Sequence, residues 1–389
     1  MEETWNRHPR DDSQDRAFAA AEQALSQGCQ DPFIEYIDLK EGRTTGKLPA
    51  EHLQENARRI ADAMEGTSYP SYRKFFVCDY ALECMPFKGA TPEALQAEQA
   101  YFSDHLVPLL EEAFADPAIP QDQVVAVLGI ERWACERWGI DEKTVFDPLF
   151  AALQKSHPDS PLLGLAQGIF YIHYAWQARG GDYADKVTDT GWKLFGERLQ
   201  LARQFLEDAW QADPNNGEVA ASMITVAMGQ QLDKPTMETW FQRAMKADPD
   251  NYHACNAKLI YLLPRWYGSD AEALQFAEDC VAGQNWQGRL PFILRDYLGI
   301  LAQNKETAPS QAEVWRQLQP VYAGFLDAYP KANSDRTEYA RCACIAGDWR
   351  VAAQQFAILG DAAWPGIFGG QEKLDAARAE AQSHLHDYD

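Results

Sequence analysis

Ala212-Asp213-Pro214-Asn215-Asn216 recurs 35 residues further on as Ala247-Asp248-Pro249-Asp250-Asn251. A turn signature repeated at that period, each time around a proline that cannot continue a helix, predicts a helix–turn–helix repeat of about 34 residues. Upstream of Pro249, Ala244 and Phe241 supply the small and aromatic residues that a second helix needs against its neighbours; upstream of Pro214 the same places hold Ala209, Leu206 and Ala202. Small residues let helices approach closely, and larger ones fill the gaps. Between the prolines, Val219, Ala220, Met223, Ile224, Ala227 and Met228 form one apolar stripe at helical spacing, and Met237, Trp240, Phe241, Ala244 and Met245 form another. The polar stretch from Gln231 to Pro235 joins them, with the proline placed to open a helix.

Outward from this pair the pattern continues. Tyr252 to Leu263 reads as a helix broken by Pro264-Arg265-Trp266-Tyr267-Gly268. Ser269…Glu272 and Ser310…Glu313 are capping boxes. Residues 336–346 and 349–359 form a last pair around Gly347-Asp348, and 371–386 form an amphipathic helix suited to cover the end of a repeat array. Residues 1–155 are expected to be helical but less regular, over about 14–28, 51–65, 71–85, 93–115, 121–138 and 143–156, with a kink at Pro108 and a hinge in the glycine- and threonine-containing loop 40–49. No stretch alternates as a strand would. The expected fold is therefore all-α: a right-handed superhelix of antiparallel helix pairs over residues 156–389, preceded by an irregular helical region over 1–155.

Composition narrows the function. The chain has 389 residues, with 35 Lys and Arg against 58 Asp and Glu, a formal net charge of -23. Sequence-independent nucleic-acid binding, which depends on cations displacing phosphate counterions, is disfavoured, as is a broad anionic membrane surface. No run of apolar residues reaches transmembrane length, so no membrane insertion is expected. The first 16 residues lack an apolar signal core, which reads as cytoplasmic, although a chain relieved of its leader would read the same. Eight cysteines at 29, 78, 84, 135, 255, 280, 342 and 344 include no CxxC pair; they are expected to be reduced packing residues, with no metal and no cofactor. The twelve tryptophans are spread along the chain, some expected in the core and some in a groove.

Residues 161–285 resemble an uncharacterised bacterial family of tetratricopeptide-like proteins, catalogued as a domain of unknown function. The resemblance rests on Tyr174-Ala175-Trp176-Gln177-Ala178-Arg179-Gly180-Gly181, Thr190-Gly191-Trp192-Lys193-Leu194-Phe195, the Ala-Asp-Pro turns and Pro264-Arg265-Trp266-Tyr267-Gly268-Ser269. It implies a helical-repeat fold and supplies no mechanism.

In such an array every loop inside a helix pair emerges on one edge. Two of these loops are unusual. The segment 179–191 carries Arg179, Asp182, Tyr183, Asp185 and Lys186, and the other carries Arg265, Trp266 and Tyr267. Long loops in compact repeats tend to be functional, and arginine and aromatic residues dominate binding hot spots. Arg179, Asp182, Tyr183, Lys193, Arg265, Trp266 and Tyr267 are therefore the candidate partner-binding residues. The plainer alternative pairs Arg265 with Asp182 or Asp185 and leaves Trp266 to pack the turn. His173, in an aromatic run, is expected in the core. No GxSxG, GxGxxG, GxxxxGK[ST] or HExxH is present, so no catalytic residue is named. The leading expectation is a scaffold or adaptor that binds a protein or peptide with a basic segment. The alternatives are an immunity or inhibitor protein that neutralises a toxin, or an enzyme with an unrecognised site in the first 155 residues.

Overall fold

The computed structural model describes residues 12–45, 53–85, 91–181, 183–303 and 308–385. Every regular element among them is helical. The α-helices are α1 (Ser13–Ser26), α2 (Pro32–Thr45), α3 (Leu53–Glu65), α4 (Ser71–Glu83), α5 (Pro92–Tyr101), α6 (Val107–Ala115), α7 (Gln121–Trp138), α8 (Glu142–Ser156), α9 (Pro161–Arg179) and α10 (Asp189–Ala212). They continue with α11 (Gly217–Gly229), α12 (Lys234–Ala247), α13 (Tyr252–Tyr261), α14 (Asp270–Ala282), α15 (Ile293–Ala302), α16 (Gln311–Ala328), α17 (Asn333–Ala346), α18 (Trp349–Leu359), α19 (Pro365–Phe368) and α20 (Gln371–Leu385). No described helix is long and apolar enough to cross a membrane.

The chain divides into two compact units. Among the described residues, 70–75 and those from 91 to 293 belong to the first, and the remainder to the second. Residues 155 and 156, either side of the expected start of the repeats, both lie in the first unit.

In the first unit the recurring pentapeptide has a specific job at each residue. Asp213 and Asp248 end their helices with the same extended φ of -140°. Their carboxylates accept from the amides of Asn215 and Asp250, at 3.1 and 3.0 Å, closing a local turn that competes with further helix. The final asparagine caps the next helix: Asn216 accepts from the amides of Glu218 and Val219, and Asn251 from that of Ala254. Both caps are buried, at 8% and 6% exposure, because each turn is covered by the next. A Cβ on Gly217 would stand 3.1 Å from Asp248 Cβ and 3.2 Å from Asn251 Nδ2, so glycine lets the second turn lie on the first. Asn285 then donates to Pro249 O and Asp250 Oδ1, both at 2.9 Å, placing a third turn on the second. Helix α11, with nearly every residue from Val219 to Met228 buried, is the core of this stack.

Pro108 has a larger effect than a simple kink. The expected single helix over 93–115 is divided into α5 and α6 by a π-helical turn at Phe102–Leu106. The proline ring crowds the carbonyl four residues earlier, that of Asp104, and the wider turn relieves it.

In the second unit, the expected hinge at 40–49 is corrected in its described part: residues 40–45 continue helix α2, with Gly42 buried, and 46–49 lie outside the described residues. Packing of α2 against α1 and α3 outweighs the helix cost of one glycine, about 1 kcal/mol. The ends of the described chain meet in this unit. Asp15 on α1 accepts from Asn333 Nδ2 on α17 at 2.9 Å and from the indole of Trp364 at 3.3 Å. Leu374 and Ala381 of α20 close the apolar cluster formed by Ala340, Ala343, Ala352 and Phe356. The Ser269 and Ser310 capping hydroxyls accept from the amides of Glu272 and Glu313 as their spacing implies.

Candidate functional site

The two unusual loops meet. Arg179 is the last residue of α9, and its guanidinium lies 5.5 Å from the ring centre of Trp176, 5.3 Å from Trp192 and 5.8 Å from Trp266. Three elements therefore converge on one cation: the end of α9, the start of α10 and the turn between α13 and α14. Trp176 and Trp266 pack edge to face, 5.5 Å apart at 87°. Phe195 backs both Trp176 and Trp192 at 4.9 and 5.8 Å. Cation–π contacts of this kind contribute roughly 0.5–1 kcal/mol each where solvent reaches them, so the cluster fixes the loops as well as presenting them.

The intervening α11–α12 turn does not separate the loops because it is short and because Tyr267 reaches across it. The Tyr267 hydroxyl donates to Met228 O at 3.0 Å, and that of Tyr261 to Leu232 O at 2.8 Å. Gly268 makes the tight chain reversal feasible: a Cβ there would lie 2.1 Å from Leu262 O. Burial raises the Tyr267 phenol above its ordinary range, so it stays a donor at neutral pH.

The candidates thus fall into groups. Arg179, Trp266 and Tyr267 are brought together, each half-buried. Tyr183 projects from the α9–α10 loop with 83% exposure, the most exposed large apolar side chain described. Arg265 is exposed and makes no ion pair among the described residues. Lys193 is also exposed and sits 3.9 Å from Glu197, one turn along α10. Asp182 lies outside the described residues. Asp185, the other acid considered for Arg265, stands 3.7 Å from Lys186. Trp266 packs its turn and also enters the cluster, and its buried indole N–H makes no hydrogen bond among the described residues. Trp176, Trp192 and Phe195 are site residues that were not singled out from sequence. The available signal was their spacing: Trp176 stands three before Arg179, and Trp192 three before Phe195, so each pair shares a helix face.

A second group of ionisable residues lies in the same unit. Glu142, the first residue of α8, is 2% exposed. Burial pushes its carboxyl up to about 7, against the nearby positive charge of Arg132 and with that of Glu136 and Asp141 opposing ionisation further. His173 on α9 is half-buried; desolvation holds it well below the usual imidazole range, and the charges of Arg132 and His253 add to this. His253 bonds Glu218 at 2.7 Å, and although burial pushes Glu218 up, that partner brings its carboxyl below the usual range. Among the described residues, no three His, Cys, Asp or Glu side chains are arranged to hold a metal. In the second unit an open depression of about 490 Å³ is lined by Gln54, Glu55, Arg58, Arg59 and Asp62, all on the solvent side of α3. A single helix face gives such a depression no opposing wall.

No protein-family model matches the chain, and no curated protein matches it.

Proposed function

We propose that this chain is a protein- or peptide-binding scaffold. In this reading the stacked helix pairs form a right-handed superhelix of the tetratricopeptide-like kind, and the partner docks on the edge that carries Tyr183, Arg265 and the Arg179 cluster. One observation carries it: three tryptophans from three elements surround Arg179 on an edge that also exposes a tyrosine and a second arginine. Rigid aromatic and arginine side chains at a partly exposed rim are the chemistry of a binding hot spot, because they offer large contact area at low entropic cost. The net charge of -23 favours a partner with a basic segment, which the field would steer.

The test uses the full chain immobilised against extract of the native organism, with captured proteins quantified. Arg265→Ala is expected to reduce capture of the specific partner about tenfold, corresponding to about 1.4 kcal/mol. Raising the salt should weaken what remains. Circular dichroism must match the parent. Unchanged capture by the folded variant overturns the placement of the site, and salt-independent capture overturns the basic-partner assignment.

A further inference from the structure

On the α12–α14 side of the first unit, the Lys258 ammonium stands 4.0 Å from the ring centre of Phe241 and 4.7 Å from that of Phe276, and it pairs with Glu238 at 2.7 Å. The two rings pack edge to face, 5.6 Å apart at 85°. This fixes one layer across three consecutive helices. Because short turns make these helices antiparallel, the next layer is read by moving back one turn on α13 and forward one turn on α12 and α14. That layer holds Cys255, Met245 and Cys280. The direct contact agrees: the Cys255 thiol donates to Met245 Sδ at 3.8 Å, and Cys280 joins the layer by its register, one turn beyond Phe276 on α14. Three sulfurs bound to one metal at about 2.3 Å in a trigonal plane stand about 4 Å apart, which is the spacing already present between Cys255 and Met245.

We propose that Met245, Cys255 and Cys280 form a binding site for a thiophilic monovalent d10 cation of the Cu(I) type. Two thiolates and a thioether are the soft donors that such an ion selects over imidazole or carboxylate sites. Binding releases two protons, one from each cysteine, while Met245 enters as a neutral donor. The resulting bis-thiolate complex carries one negative charge, which the Lys258 ammonium one turn away offsets. Because both thiols give up their protons to the metal, affinity rises with pH as the metal competes with protons. Cys255 is 1% exposed, but Cys280 and Met245 are half-buried and give the ion an approach from solvent. The proposal is independent of the binding edge.

The test is an anaerobic titration of the full reduced chain with Cu(I) against a chromophoric Cu(I) chelator. The parent is expected to take up one tightly held ion. Cys280→Ser should weaken it about 100-fold and Met245→Leu about tenfold. Cys29→Ser, a half-buried cysteine of the second unit, should leave it unchanged. Circular dichroism confirms that each variant is folded, and X-ray absorption of the loaded parent should report three sulfur neighbours. Parent-like affinity in Cys280→Ser overturns the site. So does an affinity lost in Cys29→Ser or a metal with fewer than three sulfurs.

Discussion

The two units solve the same problem of covering helices in different ways. From α9 to α14, each helix pair is held by its sequence neighbours, through turns that lie on one another at Gly217 and Asn285. In the second unit the decisive contacts join residues far apart in the chain, as when Asp15 receives Asn333 and Trp364. The first arrangement leaves local, repeating marks in the sequence. The second requires both ends of the described chain before it can close, and leaves almost none.

The largest effect should come from breaking that closure. Removing residues 1–30 deletes α1 and the Asp15 acceptor, and is expected to strip hydrogen-exchange protection from α17 to α20 while α9 to α13 keep theirs. Equal loss in both sets would mean that the two units do not differ in this way.

Next is the buried acid of α8. With Glu142 raised from 4.5 to about 7, the folded state holds a proton that the unfolded state releases between those values. Stability should therefore be greatest below the unfolded value and fall as pH rises through about 7, by about 3 kcal/mol from this group alone. Glu142→Gln removes the dependence, so denaturation profiles of the variant and parent should run together below pH 4.5 and separate in favour of the variant by pH 8. His173 acts with the opposite sign, losing stability as pH falls below its ordinary range, but it does so equally in both chains. Profiles that stay parallel would contradict the assignment.

A smaller effect tests the stacked turns. Asn216→Ala and Asn251→Ala each remove a buried cap and should cost about 1–2 kcal/mol in denaturant unfolding. Asn216 and Asn251 belong to adjacent turns, so the double variant should depart from additivity. Independent effects would argue against stacking.

These comparisons explain what could be read beforehand. The repeats from α10 to α13 were legible because Asp213 and Asn216 accept from amides within three residues while Pro214 blocks further helix, and the same local chemistry recurs at Asp248 to Asn251. The all-helical state followed from the same periodicities. Helix α2 was not legible at all: no helix was expected between residues 28 and 51, where Gly42 signals a break that only packing overrides. The π-helical turn before Pro108 was legible as a disturbance but not as a type. At the site, the loops themselves could be named, because Arg179, Trp266 and Tyr267 interrupt otherwise regular pairs. Their meeting could not, because it depends on how far Tyr267 reaches over the α11–α12 turn to Met228. Trp176 and Trp192 could not be sorted between core and groove until the cation between them is located.

The smallest structural effect belongs to the site. Tyr183→Ala, at a position 83% exposed, should change stability by no more than about 0.5 kcal/mol while reducing partner capture. A change in melting temperature as large as that of Asn216→Ala would assign Tyr183 to the fold and not to recognition.

The central claim, that the edge around Arg179 is where a partner docks, is tested most directly by photocrosslinking. A benzophenone amino acid placed at position 183, and separately at position 358, where Ile358 is 56% exposed in the second unit, is irradiated in extract of the native organism. The account predicts a discrete adduct with a basic protein from position 183, lost on addition of salt, and none from position 358. The same adducts from both positions, or none from position 183 while the chain still captures a partner, would contradict it.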